Sequence, residues 1–256
     1  MTDLFEAHKA RFDRLCEEAM RRDIRLSDQG IGTLGEKRMH AVIKRYLCED
    51  EDCHEVGVLD TRFVSDVRIG NEIYEVQTGP FAPMKKKLVH YLEKTDCTVT
   101  VVHPLPSVRW LSWIDPKTME ISPRRKVSGI ARPQDILPEL YSIRELLGNP
   151  RLKFRLLMLE TQDFRILNSR ARSPKTHTKH YESIPLALMD EIALDTPEDF
   201  RRFIPDALPA HFTVKDFSAC TKIRGINAYS AVRALVALGL VTPADPIGRA
   251  MGFKLN

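Results

Sequence analysis

Apolar and polar residues alternate through residues 63–77, F-V-S-D-V-R-I-G-N-E-I-Y-E-V-Q. Val64, Val67 and Ile69 precede Gly70-Asn71, and Ile73, Tyr74 and Val76 follow it; these are the β-branched and aromatic residues that favour strands. Gly and Asn both tolerate positive φ, so the stretch predicts two short strands joined by a tight turn. A further strand is predicted over 56–59, and the β-branched run T-V-T-V-V predicts a buried one over 98–102. Three segments carry helical spacing instead. Residues 2–25 place Leu4, Phe5, Phe12, Leu15, Cys16 and Ala19 on one face. Residues 34–48 do the same with Met39, Val42, Ile43, Tyr46 and Leu47, after a Thr33/Glu36 pair that fits a capping box. Residues 83–94 present Leu88, Val89, Tyr91 and Leu92 behind Pro83, a residue suited to a helix start. After the first helix, the predicted order is helix, three strands, helix, strand.

Beyond residue 104 the pattern predicts a hairpin over 108–121 turning at D-P-K-T, a helix over 134–147 and a buried strand over 152–159. Residues 165–181 hold Arg165, Arg170, Arg172, Lys175 and Lys179 with no acid, and read as a polar basic loop. Residues 185–194 read as a short segment, and Thr196 caps a helix reaching to 203. Pro205 and Pro209 mark a linker. Past it, Thr213 and Asp216 open a short helix, Arg224-Gly225 makes a turn, and Asn227 caps a second helix that stops at Gly239. A turn over 243–248 and a small hairpin end the chain. The expected domains are an N-terminal helix at 1–30, a main domain at 31–204 and a small one at 210–256.

A chain of 256 residues holds one large or two modest domains, and 43% hydrophobic with 29% charged residues is the composition of a globular protein. The net charge of +4 argues little by itself, but its distribution is uneven. Residues 1–60 carry 10 basic and 14 acidic side chains, whereas residues 212–256 carry 6 basic and 2 acidic. Five scattered cysteines without a C-x2-C pair point to a reducing cytoplasm, and Cys48-x4-Cys53-His54 lacks the second ligand pair that zinc needs. No signal-peptide pattern opens the chain, and no apolar run approaches the ~20 residues of a membrane helix, so no membrane partner is expected.

The chemistry concentrates in the strand pair. If it closes at Gly70-Asn71, Asp66 comes near Glu75, and Gln77 shares the face of Glu75. Two carboxylates on neighbouring strands suit Mg²⁺, which takes a few hard oxygen ligands and keeps several waters. An acid ending one strand, then acid-x-Lys on the next, is the motif of the PD-(D/E)xK, or restriction-endonuclease-like, nucleases. Asp66 followed by Glu75-Val76-Gln77 resembles it, with Ser65 in place of the motif proline and Gln77 in place of the lysine. The resemblance covers roughly residues 32–104. It implies an α/β (α+β) fold with an αβββαβ core, carrying additional strands and helices. It also implies a Mg²⁺ or Mn²⁺ ion held by Asp66, Glu75 and the Val76 carbonyl, and a Gln77 that orients water or phosphate. Glu36 has two readings, as a metal-assisting glutamate on the first core helix and as a cap. Lys86 or Lys87 can supply the phosphate-directed charge that Gln77 lacks; the alternative is a solvated helix face with Lys85.

The tail, helix-turn-helix-hairpin with the phrase A-L-V-A-L-G-L-V, resembles a winged helix-turn-helix domain. That resemblance implies a second helix in the major groove, with Arg224, Asn227, Tyr229, Ser230 and Arg233 exposed. The same module also serves protein–protein contact, including a homodimer. Arg170, Arg172, Lys175 and Lys179 would track phosphates. Two function classes follow: a metal-dependent nuclease acting on nucleic acid, DNA first, and a non-cleaving nucleic-acid-binding or regulatory protein on the same scaffold. RNA processing is a third reading.

Overall fold

The computed structural model describes residues 2–21, 37–58, 62–128, 130–167 and 178–256. The protein is mixed α/β, and its principal sheet is itself mixed. In chain order the elements are α1 (Thr2–Arg21), α2 (Arg38–Leu47), β1 (His54–Gly57), β2 (Val64–Ile69), β3 (Glu72–Val76), α3 (Lys85–Lys94), β4 (Thr98–Ile114), β5 (Arg125–Val127), a helical turn α4 (Leu137–Leu140), β6 (Leu152–Leu167), β7 (Thr178–Leu194), β8 (His211–Thr213), α5 (Val214–Thr221), α6 (Ile226–Ala237), β9 (Val241–Ile247) and β10 (Ala250–Leu255). The main sheet runs β1-β2-β3-β4-β6-β7, with β5 also paired to β4, and a second sheet runs β8-β10-β9.

The chain divides into two compact units. One comprises Met1–His54, Pro104–Ala131 and Leu157–Glu191; the other comprises Glu55–His103, Arg132–Leu156 and Ile192–Asn256. In the first, α1 buries Phe12, Leu15, Cys16 and Ala19, and α2 buries Met39, Val42, Ile43 and Tyr46, the faces that helical spacing marks. Asp13 accepts the backbone N–H of Leu188 at 2.9 Å, tying α1 to β7. Helix α2 starts with Lys37 at its cap position, and the Thr33/Glu36 capping box lies outside the described residues.

The second unit contains the strand pair. β2 and β3 are antiparallel, with Val67 opposite Tyr74, Arg68 opposite Ile73 and Ile69 opposite Glu72. Gly70 turns the chain at φ +58°, as turn chemistry requires. β3 then runs parallel to β4, from Glu72 beside Thr98 to Val76 beside Val102. Helix α3 buries Leu88, Tyr91 and Leu92. Arg151 fastens the end of that helix by donating to the carbonyls of Leu92, Thr95 and Cys97.

Several expectations require correction. The strand over 98–102 does not stop at the prolines but continues as β4 to Ile114. Pro104 and Pro106 lie between the residues paired with β3 and those paired with β5, where no ladder on that side needs an N–H. The turn at Asp115 forms, its carboxylate accepting from Lys117 and Thr118, but the return strand is β5, with only an Ile114–Ile121 bridge before it. The helix over 134–147 is broken into short pieces, with Ile143 at φ −120° interrupting the last. Residues 165–167 and 178–181 belong to strands, and β7 carries the chain from 178 through Pro185 to 194.

In the tail, Thr213 and Asp216 form the reciprocal capping box of α5. Gly225 at φ +60°, rather than Asn227, precedes α6, so Asn227 is its second residue. Ala228, Ala231, Val232, Ala234 and Leu235 are buried, and Gly239 ends the helix at φ +74°. The expected turn over 243–248 is mostly strand; β9 and β10 meet at Gly248-Arg249. Their register shifts between Ala250 and Gly252, and a Cβ on Gly252 would lie 2.0 Å from the Asp245 carbonyl oxygen.

Nothing crowds a Cβ at Gly70, so Gly70→Ala pays only for its positive φ. Urea denaturation should show a loss of about 1 kcal/mol with an unchanged slope.

Candidate metal centre

Alternation along β2 and β3 sets which side chains meet. Continuing the observed register by one residue places Asp66 opposite Glu75, so both carboxylates leave the same face of the pair. Asp66 Oδ2 accepts the backbone N–H of Val76 at 2.7 Å, which fixes the aspartate against the end of β3. Glu75 is only 4% exposed. Its Oε2 accepts from Lys87 Nζ at 2.6 Å and its Oε1 from the Tyr91 hydroxyl at 3.2 Å. Lys87 and Tyr91 lie four residues apart on α3, one turn from each other on the same side.

Burial is the largest influence on Glu75, and the Asp66 charge adds to it; Lys87 and the hydrogen bonds from Lys87 and Tyr91 oppose them. The balance raises its pKa to about 7. Burial and the neighbouring Glu75 charge push the Tyr91 phenol well above its ordinary value, so it stays a donor.

Gln77 continues the face of Glu75. Its Nε2 donates to the Pro80 carbonyl at 2.7 Å, its N–H donates to Val102, and its own carbonyl accepts from His103 Nδ1 at 2.5 Å. His103 is buried and its pKa is lowered mainly for that reason, so the ring is a neutral donor to that carbonyl. Of the three lysines, Lys85 pairs with Glu145 at 2.8 Å, Lys86 is exposed, and Lys87 is the one on Glu75. Tyr91 and His103 carry no motif signature. Tyr91 reads from spacing as a core residue, although its i+4 relation to Lys87 is visible in the sequence.

Glu36, Arg170, Arg172 and Lys175 lie outside the described residues. Lys179 is exposed at the start of β7. In the tail Arg224 and Asn227 are exposed, Tyr229 is 39% exposed, and Ser230 and Arg233 are half-buried. Two exposed apolar residues, Ile226 and Met251, belong to the same unit.

Among the described residues no group of three or more His, Cys, Asp or Glu side chains is set to hold a metal. The donor set at β2 and β3 is therefore two carboxylates; Asp66 Oδ2 and both Glu75 oxygens each keep a second lone pair beyond the hydrogen bond described. That set fits a hard, water-retaining cation such as Mg²⁺ and does not fit zinc. The thiol-rich alternative fares no better: both cysteines are free, the Cys53 thiol is pushed up to about 11, chiefly by its hydrogen bond with Cys48, and His54 Nε2 donates to the Cys48 carbonyl at 2.8 Å.

A carboxyl whose pKa is raised on folding contributes stability below its unfolded value of 4.5 and loses it as pH rises through about 7. Glu75→Gln, neutral at every pH, should gain on the wild type by up to about 3 kcal/mol between those limits. Urea denaturation in the presence of a chelator reads the difference; a gap independent of pH contradicts the assignment.

Residues 37–195 match the family model described as Domain of unknown function (DUF8091). No curated protein and no solved structure matches the chain. The matched stretch covers β2, β3 and α3, including Asp66, Glu75, Gln77 and Lys87, and stops before β8. With more than half of its length in that match, the chain belongs to the DUF8091 family.

Proposed function

We propose that the protein is a Mg²⁺- or Mn²⁺-dependent phosphodiesterase acting on nucleic acid, with DNA the first substrate to test. In this reading its β2–β3–α3–β4 region is a restriction-endonuclease-like site of the D-ExQ kind, and its tail is a winged-helix-like DNA-binding domain. The observation that carries it is the pair Asp66 and Glu75, opposite each other on one face with a lysine beside the glutamate. The order α2, β1, β2, β3, α3, β4 supports the core, and the order β8, α5, α6, β9, β10 supports the winged helix.

Asp66 and Glu75, with the Val76 carbonyl, would hold the ion. Held there, such an ion would supply Lewis acidity, making a water easier to deprotonate and offsetting charge on the scissile phosphate. The remaining work belongs to the chain. Asp66, fixed by the Val76 N–H, presents a carboxylate of set orientation. Tyr91 and Lys87 hold both oxygens of Glu75 and oppose the protonation that burial favours. Lys87, which pairs with Glu75 from α3, would supply the cation that the motif places two residues after the glutamate, turning from Glu75 to a phosphate oxygen. Gln77 cannot act as a base, because an amide does not titrate near neutrality. Its role is to hydrogen-bond water or phosphate after release from Pro80. Arg224, just before the Gly225 cap, and Asn227, the second residue of α6, are exposed at the helix's N-terminal end, the part of a recognition helix that meets base edges.

A second reading, a non-cleaving nucleic-acid-binding or regulatory protein, is favoured by one observation: the Gln77 amide is spent on Pro80 and both Glu75 oxygens are spent on α3. Calorimetry with Mn²⁺ separates the two. On the nuclease reading the wild type binds the ion, and Asp66→Ala and Glu75→Ala each weaken binding at least about tenfold. Cleavage of DNA or RNA then falls by about 10²-fold or more in Lys87→Met, while Lys86→Met retains wild-type rate. No Mn²⁺ heat in the wild type, with DNA binding that is lost on deleting residues 210–256, establishes the second reading instead.

A further inference from the structure

In the first unit the chain turns back on β4 to form a ribbon whose outer strand carries a run of cations. β5 pairs with β4 alone, with Arg109 opposite Val127, Trp110 opposite Lys126 and Leu111 opposite Arg125. The ribbon is fastened near its turn. The Ser122 N–H donates to the Trp113 carbonyl at 2.9 Å, and Ser122 Oγ accepts the Trp113 N–H at 2.9 Å. Residues 123–126 read Pro-Arg-Arg-Lys, and all three cations are exposed. Among the described residues none of the three forms an ion pair.

Strand alternation sorts these cations. Lys126 lies directly across from Trp110, and Arg124, two residues earlier, occupies the diagonal position on the same face. Its guanidinium sits over the indole, with Cζ 4.6 Å from the ring centre. The indole is fixed in turn, because its Nε1 donates to Glu160 Oε1 of β6 at 2.6 Å. On the opposite face Arg109 donates to Asp163 Oδ2 of β6, from Nη2 at 2.5 Å and from Nε at 3.2 Å, so its charge is committed. Arg125 shares that opposite face with Arg109 and Leu111.

Charge on an edge strand deters pairing with another sheet. Any exposed lysine serves that purpose, and none of it calls for a tryptophan anchored to β6 beneath an arginine. The series Glu160, Trp110, Arg124 holds a guanidinium at a set place while leaving its N–H fork without an acceptor. A fork in that state suits an anionic group with two oxygens. Lys126 adds a second cation two residues along the strand, about 6.6 Å away. Two cations so spaced suit consecutive phosphates of a linked chain better than one isolated anion.

We propose that Arg124 and Lys126, set on Trp110, form a contact site for the backbone of a nucleic-acid strand and take consecutive phosphates. The identity of the ligand rests on the nucleic-acid reading above; the placement of the cations does not. Trp110 is a positioning residue, since its ring carries Arg124 and its N–H is held by Glu160. An acidic peptide is the poorer occupant: it would add as a strand along β5, whose three residues offer only a short ladder.

The test is fluorescence anisotropy on the full chain with a chelator present, so that cleavage does not intrude. Labelled duplex DNA of about 20 base pairs, its single strand and the matching RNA are titrated from about 50 to 300 mM salt. Wild type should bind at least one of them. Arg124→Gln/Lys126→Gln should weaken that binding at least about tenfold near 100 mM salt and flatten the slope of log Kd against log salt by about 2 on duplex, or about 1.4 on a single strand. Arg125→Gln, one charge removed from the opposite face, should keep a slope close to wild type. Trp110→Leu removes no charge yet should weaken binding severalfold, and Trp110→Phe, which keeps a ring under Arg124, should restore most of it. A wild-type slope in the double variant, or as much flattening by Arg125→Gln as by Arg124→Gln, overturns the proposal and leaves the nucleic-acid reading standing. No binding of any nucleic acid by wild type at about 50 mM salt overturns both. Displacement by polyglutamate as effective as by unlabelled nucleic acid, at constant ionic strength, also overturns the proposal by assigning the ridge to an acidic protein. The Mn²⁺ titration reads Asp66 and Glu75 and does not involve Arg124 or Lys126, so the two experiments fail independently.

Discussion

The structure around β2, β3 and α3 turns on one interaction, a carboxylate taken out of water and held by two donors from a single helix. A buried Glu75 is costly alone. Lys87 and Tyr91 offset that cost by reaching its two oxygens from positions one turn apart on α3. Asp66, opposite on β2, works against the arrangement by adding a second negative charge to the same face. Two acids set side by side in a poorly hydrated place are stable only with compensating cations. Lys87 gives one of these.

Other features of the second unit serve this face. Gly70 reverses the chain so that the acids align rather than alternate across the pair. His103 fixes the carbonyl of Gln77, and parallel pairing with β4 keeps β3 straight up to Val76. Arg151 gathers the last carbonyls of α3 and the loop behind it, which holds the helix that carries both donors. The motif residues contribute charge, while residues without a motif contribute position.

The register of β2 and β3 was legible in the sequence because alternation and a Gly-Asn turn leave little freedom: shifting by one residue would invert every face. The inward lysine was not legible, since three consecutive lysines spread around a helix and only contact with Glu75 selects Lys87. The lengths of β4 and β7 were also hidden. Pro104, Pro106 and Pro185 interrupt the apolar β-branched pattern, yet a proline is tolerated in a strand wherever no neighbouring strand calls for its N–H. The Arg109–Asp163 pair joins residues 54 apart, and no local spacing announces it. Capping in the tail was legible at Thr213 because the box is a local device, whereas Asn227 was misplaced because Gly225 can take a backbone angle that composition does not reveal.

The hairpin at the end of the chain has a lock built into it. The backbone of β9 passes so close to Gly252 that the space of a single methyl is already occupied by the Asp245 carbonyl, with His211 Nε2 donating to that same oxygen at 3.0 Å. Sliding the ribbon by two residues would bring Ala250 or Lys254 into that seat, and neither can enter. The three strands therefore have one workable alignment, and the reach of the loop at Gly248-Arg249 is a fixed length rather than an adjustable one.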